Sequence, residues 1–318
     1  MFSKMSNKTL VIVLLVLGVA LYFALFADHS DSSYKNEVIN VDTARVTKIK
    51  FDLPDKGTFE LVKSGTSWLV KSGDEQSAAD QNRVRAFLSQ MAPLKTIRVA
   101  GKVDKDSKKL GLDEKSALKV DFFNGDKMLS TLFLGKVNYE APESGGQNLY
   151  SRGNQGRMIG YAFTNGDNTA YVVDGYLKIS YGSDANGFKN KVVVDADPKS
   201  VSEIDMQSGK VSLKLTKSSN KWMIDGQATD SAETAKYVNA LVRLSGYEFL
   251  DKDVIKGIEP VGSVTIKTLN DGLIKVDAYP VDSVTFALVS SQNNGNIIKD
   301  KKHRIFDRMF KEKSYFLK

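Results

Sequence analysis

The chain is 318 residues long and carries 45 Lys and Arg against 38 Asp and Glu, a formal charge of +7, with no cysteine, two histidines and 42% hydrophobic residues. Without thiols, and with only His29 and His303 as imidazoles, it cannot build a disulfide scaffold, a thiolate zinc or iron–sulfur site, a cysteine nucleophile or a centre needing clustered histidines. Charged residues at 26% and aromatics at 9% are globular values, and the length accommodates one large domain or two ordinary ones.

Residues 1–8 hold Lys4 and Lys8 and no acid, and Thr9–Phe26 (TLVIVLLVLGVALYFALF) then runs 18 residues without a charge. A helix rising about 1.5 Å per residue would cover roughly 27 Å here, near the thickness of a bilayer's hydrocarbon core, so a transmembrane helix is predicted. The lysines before it and Asp28 and Asp31 after it place the amino terminus in the cytoplasm and the remainder outside. A cleaved signal peptide fits less well: a cut after Ala27 leaves Leu25, and a cut after Ala24 leaves Tyr22, where a small residue is wanted. A lipid anchor of the bacterial lipoprotein type lacks its cysteine. The expectation is a single-pass anchor in the bacterial inner membrane (residues 1–27), a polar tether (28–42) and a periplasmic or otherwise extracytoplasmic body.

The body repeats itself. FELVKSGTSW ends at Trp68 and LKLTKSSNKW at Trp222; upstream, Val46–Phe51 (VTKIKF) answers Val201–Met206 (VSEIDM). Downstream, an Asp80-led segment with Val84, Phe87, Leu88, Met91 and Leu94 answers an Asp230-led one with Tyr237, Val238, Leu241 and Leu244, and Leu110–Asp126 answers Lys256–Gly272. Alternation in Leu118, Val120, Phe122 and in Val211, Leu213, Leu215 predicts half-buried antiparallel strands, whereas the spacing of Val84, Phe87, Leu88 and Met91 predicts a helix. Asp80 and Asp230 stand at the N-cap positions of these helices, and Asn124-Gly125 and Asp271-Gly272 mark equivalent turns. The expected fold class is α+β: after the transmembrane helix, two tandem repeats (43–195 and 196–318), each an antiparallel sheet with a packed helix. Both tryptophans are expected to be core residues that anchor helix to sheet.

The copies diverge most after Leu134. Gly135–Asn190 holds 10 of the 24 glycines together with Tyr139, Tyr150, Tyr161, Tyr171, Tyr176 and Tyr181, and reads as a long insertion on which a binding surface would be grafted. Within it, Tyr150, Arg152, Arg157 and Tyr161 form a candidate partner or glycan surface, although a plain β-hairpin turning at Asn154-Gln155-Gly156 explains the same residues.

The succession VTKIKF, Trp68-x-Val70, capped helix, Arg98-Val99-Ala100, Leu110-Gly111-Leu112-Asp113, Leu134-Gly135 and Leu149-Tyr150-Ser151-Arg152 resembles the bacterial domain-of-unknown-function 4340 family. Members are typically membrane-anchored extracytoplasmic proteins often encoded beside ABC-transporter subunits of the gliding-motility type. The resemblance covers Val46 to about Asp174 and, in weaker form, Val201 to about Gly272, and it departs in the Lys136–Gln147 loop and in the missing proline after Asp113. It implies a non-enzymatic accessory role and carries over no catalytic residue.

No P-loop, GxGxxG turn or GxSxG elbow occurs, and His29 in the tether and His303 in KDKKHR are poorly placed as general bases. An acid-pair hydrolase would need only two carboxylates, and the sequence singles out none. Asp104-x-Asp106 and Asp195-x-Asp197 lack the further ligands of a calcium loop and read as turn or cap residues. No catalytic residue, cofactor or metal is therefore expected. The leading expectation is a scaffold or accessory subunit of a membrane complex, with ABC-type transporter subunits as partners; the alternative is an envelope glycan-binding module. The surplus charge lies at the ends: residues 299–318 hold eight basic residues against three acids, and 28–298 are balanced. A nucleic-acid partner is thus not expected. Lys301, Lys302, Arg304, Arg308, Lys311 and Lys313 form a candidate tail for an anionic surface, unless the tail simply closes the second repeat with a solvated basic face.

Overall fold

The computed structural model of the protein describes residues 16–17, 35–141, 156–209, 211–269 and 272–317. The first copy runs β1 (Glu37–Ile39), β2 (Lys48–Leu53), β3 (Gly57–Ser64), β4 (Ser67–Ser72), β5 (Glu75–Ala78), helix α1 (Gln81–Gln90), β6 (Leu94–Lys95), β7 (Arg98–Lys102) and helix α2 (Val103–Leu110). It continues through β8 (Leu118–Asn124), β9 (Lys127–Glu140), β10 (Arg157–Thr164), β11 (Thr169–Asp174) and the short helix α3 (Tyr176–Tyr181). The second copy opens with β12 (Val192–Asp195), β13 (Val201–Ser208), β14 (Ser212–Ser218), β15 (Lys221–Ile224), β16 (Gln227–Ala228) and helix α4 (Ser231–Leu241). After β17 (Arg243–Ser245) and β18 (Glu248–Leu250), a 3-10 turn at Lys252–Ile255 stands in place of α2. Then come β19 (Gly262–Thr268), β20 (Leu273–Asp282), β21 (Thr285–Ser290), β22 (Ile297–Lys301) and the short helices α5 (Phe306–Met309) and α6 (Lys313–Phe316).

Each copy is built on one nine-stranded antiparallel sheet, in the order β5-β4-β3-β2-β8-β9-β10-β11-β7 and β16-β15-β14-β13-β19-β20-β21-β22-β18. Two-stranded ladders, β1–β6 and β12–β17, stand beside them. The orders coincide strand for strand, so the duplication extends to the whole topology. The α+β assignment is corrected: the fold is mostly β, with one helix of 10 or 11 residues per copy set against a nine-stranded sheet. The expected long insertion is corrected with it. The larger part of its described residues belongs to β9, β10, β11 and α3, whose counterparts are β20, β21, β22 and α5. MIGYAF and TAYVVD are rich in the aromatic and β-branched residues that suit pleated surfaces, and Gly160 lies within β10 instead of marking a loop.

The expected transmembrane helix, and the inner-membrane location derived from it, are corrected as well. No helix among the described residues is long and apolar enough to cross a membrane. A helix that crosses hydrocarbon by itself needs about 20 residues, and the longest described helix has 11. The apolar run Thr9–Phe26 lies outside the described residues apart from Val16 and Leu17, as does the tether up to Tyr34.

The helices form where local chemistry directs them. The Asp80 carboxylate accepts from the Arg83 amide at 3.0 Å, and that of Asp230 from the Ala232 and Glu233 amides at 2.9 Å. Val84, Phe87, Leu88 and Met91 lie buried over Ile49, Phe51, Leu61 and Phe122; in the second copy Tyr237, Val238 and Leu241 lie over Ile204, Met206, Leu215 and Ile266. Each copy closes in the same way near its end: the Phe188 carbonyl accepts from the Asp80 amide at 2.7 Å, and the Phe316 carbonyl from the Asp230 amide at 2.8 Å. Both phenylalanine rings are buried. Trp68 is also buried, with the Gln81 side chain accepting from its amide and donating to its carbonyl, whereas Trp222 is only partly covered.

The copies touch through the loop between β21 and β22. The Ala78 amide donates to the Asn294 carbonyl at 2.8 Å, the Asn296 side chain donates to the Ala78 carbonyl at 2.9 Å, and that of Asn293 to the Asn190 and Val192 carbonyls. Gly295, at φ +82°, is needed twice over: its backbone is left-handed, and a Cβ there would sit 2.7 Å from the Gln76 carbonyl oxygen. The loop covers the outer edge of β5, which would otherwise present unpaired backbone groups.

Candidate functional site

The basic C-terminal segment folds back onto the second sheet. After β22, Lys302 and His303 both take left-handed backbone (φ 57°). The Asp300 carboxylate, buried beneath the turn, accepts from the Ile305 and Phe306 amides at 3.0 and 2.9 Å. Ile305, Met309 and Phe310 then enter the core, and the Tyr237 hydroxyl donates to the Met309 carbonyl at 2.6 Å. With that side held, Arg304 and Arg308, four residues apart, stand together on the outside.

They line a cleft of about 280 Å³ with Ser245, Gly246, Tyr247, Glu248, Lys299 and Lys301. Lys299 faces Glu248 in the β18–β22 ladder, and the Glu248 carboxylate bridges Lys299 at 3.5 Å and Lys301 at 3.0 Å. The hydrogen bond from Lys301 holds that carboxyl below its ordinary range. The Arg304 guanidinium lies 5.9 Å from the ring centre of Tyr247, which is 77% exposed. Among the described residues, neither Arg304 nor Arg308 lies within ion-pair distance of a carboxylate; Arg308 donates to the Ala240 carbonyl at 3.4 Å.

The six tail cations are thus divided. Lys301, Arg304 and Arg308 converge on the cleft, whereas Lys302 packs its backbone against Val284, Lys311 lies over the Tyr315 ring and Lys313 pairs with Asp225. Sequence reasoning missed Lys299, Tyr247 and Glu248; the alternation of Lys299 and Lys301 on one strand face was the available signal. His303 is half-buried: its ring lies 4.6 Å from that of Phe286, and its Nε2 is enclosed without a hydrogen-bond partner among the described residues.

Of the surface expected on the first copy, Tyr150 and Arg152 lie outside the described residues. Arg157 opens β10 and is engaged by Glu140, which also binds Arg98, at 2.8 and 2.6 Å. The hydrogen bond from Arg157 draws the Glu140 carboxyl below its usual range. The Tyr161 hydroxyl accepts from the Asn138 side chain at 3.1 Å, and the ring packs on a small cluster of Leu110, Leu112 and Ala170. Arg157 and Tyr161 therefore have intramolecular work on the folded surface. Asp106 and Asp197 accept from the Lys102 and Lys199 amides, as turn residues do. No group of three His, Asp or Glu able to hold a metal occurs among the described residues.

No curated protein and no solved structure matches the chain. A family model does, over residues 16–115 and 73–259, two overlapping stretches that together take in most of the sequence and both copies. The chain belongs to the family described as a domain of unknown function (DUF4340).

Proposed function

We propose that the protein is a non-enzymatic scaffold or accessory subunit of a multiprotein complex, of the transport type that the family resemblance implies. The observation that carries this reading is the cationic cleft of the second copy, because the duplicated fold does not require it. The strand registers align Glu248 with Arg98, Lys299 with Val172 and Lys301 with Asp174. The first copy thus builds the same sheet with no cationic cluster at these positions. Cations that the fold can dispense with, two of them (Arg304 and Arg308) without a carboxylate partner among the described residues and two sharing the single carboxylate of Glu248, grouped around an exposed tyrosine, suit recognition of another molecule. Isolation of the tagged full-length chain from its native cells under mild conditions tests the reading. Reproducible recovery of a stoichiometric protein partner is expected, and recovery of the chain alone would overturn it.

A further inference from the structure

The geometry points to the cleft between Tyr247–Glu248 and Lys299–Arg308 as a receptor for a carboxylate-bearing segment of a partner protein, with Glu248 as the intramolecular carboxylate that the incoming acid displaces. This inference rests on the scaffold reading and names the chemistry of the partner. Lys299 and Lys301 already hold one carboxylate, that of Glu248, at ion-pair distance. The Glu248 side chain is 52% exposed, and both contacts are solvated. Exposed ion pairs of this kind contribute little to stability, so exchange for another carboxylate is cheap. Arg304 and Arg308 add two planar guanidinium forks that match carboxylate geometry, and Tyr247 supplies an aromatic surface for the neighbouring side chains of a peptide.

A peptide carboxylate is favoured over a phosphate or an anionic lipid surface. The group already seated between Lys299 and Lys301 is a carboxylate, that of Glu248, and the cations line a recess instead of a flat face. The tight approach that forms the recess depends on Gly246, whose missing Cβ leaves room for the Ile298 side chain.

The test uses the full chain and four probes at low salt: a fluorescent peptide with four consecutive glutamates, its glutamine counterpart, inorganic phosphate, and vesicles of phosphatidylcholine with phosphatidylglycerol. Arg304→Ala with Arg308→Ala should weaken glutamate-peptide binding about tenfold, and Glu248→Gln should strengthen it about fivefold, as the loss or gain of one or two exposed charge interactions implies. Lys63→Gln, on β3 of the first copy, should leave it unchanged. The gain in Glu248→Gln is a signature that a purely structural role would not produce, and it stands even if the double arginine variant folds poorly. Equal binding of the two peptides, binding indifferent to Glu248→Gln, or binding of phosphate or vesicles alone would overturn the inference. A partner recovered equally well by the wild type and the double variant would refute the cleft while leaving the scaffold reading intact. Failure to recover any partner would refute the scaffold reading itself.

Discussion

Tyr237→Phe isolates one hydroxyl in the second core. The ring is 3% exposed, lies edge-on to Phe316 with ring centres 5.1 Å apart, and has its counterpart in Phe87 of the first copy. A phenylalanine ring is therefore compatible with the site, and the substitution removes the hydroxyl that donates to the enclosed Met309 carbonyl and lies 3.0 Å from the Met206 sulfur. Leaving a buried acceptor unpaired costs about 1–3 kcal/mol. At about 2–4 °C per kcal/mol for a body of this size, a middle value lowers Tm by about 4–8 °C. A second readout comes from pH. Burial raises the Tyr237 phenol well above its ordinary value, so the folded state keeps a proton that the unfolded state releases above about pH 10. Its contribution is complete below that pH and falls as pH rises beyond it, by about 1.4 kcal/mol for the first unit. Phenylalanine does not titrate, so the gap between wild type and variant should narrow by that amount between about pH 8 and 11. Urea unfolding at both pH values measures this; a variant within about 0.5 kcal/mol of wild type at neutral pH, or a gap independent of pH, refutes the reasoning.

Trp68→Ala removes a buried ring and should cost about 3–5 kcal/mol, with Trp222→Ala costing clearly less because its ring is only partly covered; equal losses in urea unfolding would contradict the packing difference. Gly295→Ala forces a side chain into left-handed backbone and against β5, and should split calorimetric unfolding into two transitions by loosening the loop that joins the copies. An unchanged single transition would show that the junction does not couple them. The Glu140 carboxyl, held low by Arg157, should titrate below its ordinary value of about 4.3, so its contact is complete above that pH and lost as pH falls through the lower folded-state value. Arg157→Ala should move the carboxyl's NMR titration upward; an unmoved inflection argues against the contact.

The sequence by itself determined the features whose cause is local. Asp80 and Asp230 announced their helices because an N-cap acts within three residues, and Leu118, Val120, Phe122 announced a strand because alternate side chains share a face. The duplication was legible for the same reason: both copies repeat these signals in order. Tertiary structure decided what depends on partners distant in the chain. β11 and β22 close their sheets against β7 and β18, strands some 50 to 70 residues earlier, so nothing near Tyr171 or Lys299 marks the neighbour. Gly135–Asn190 therefore read as a loop-rich insertion although β10, β11 and the end of β9 lie within it. The basic tail likewise read as one charged stretch. Only the ladder that sets Lys299 against Glu248, and the core that takes in Met309 and Phe310, gather Lys299, Lys301, Arg304 and Arg308 into one cleft while turning Lys311 and Lys313 away. Charge is a property of residues, but a site requires convergence, and convergence is fixed by pairing register and burial across the whole sheet.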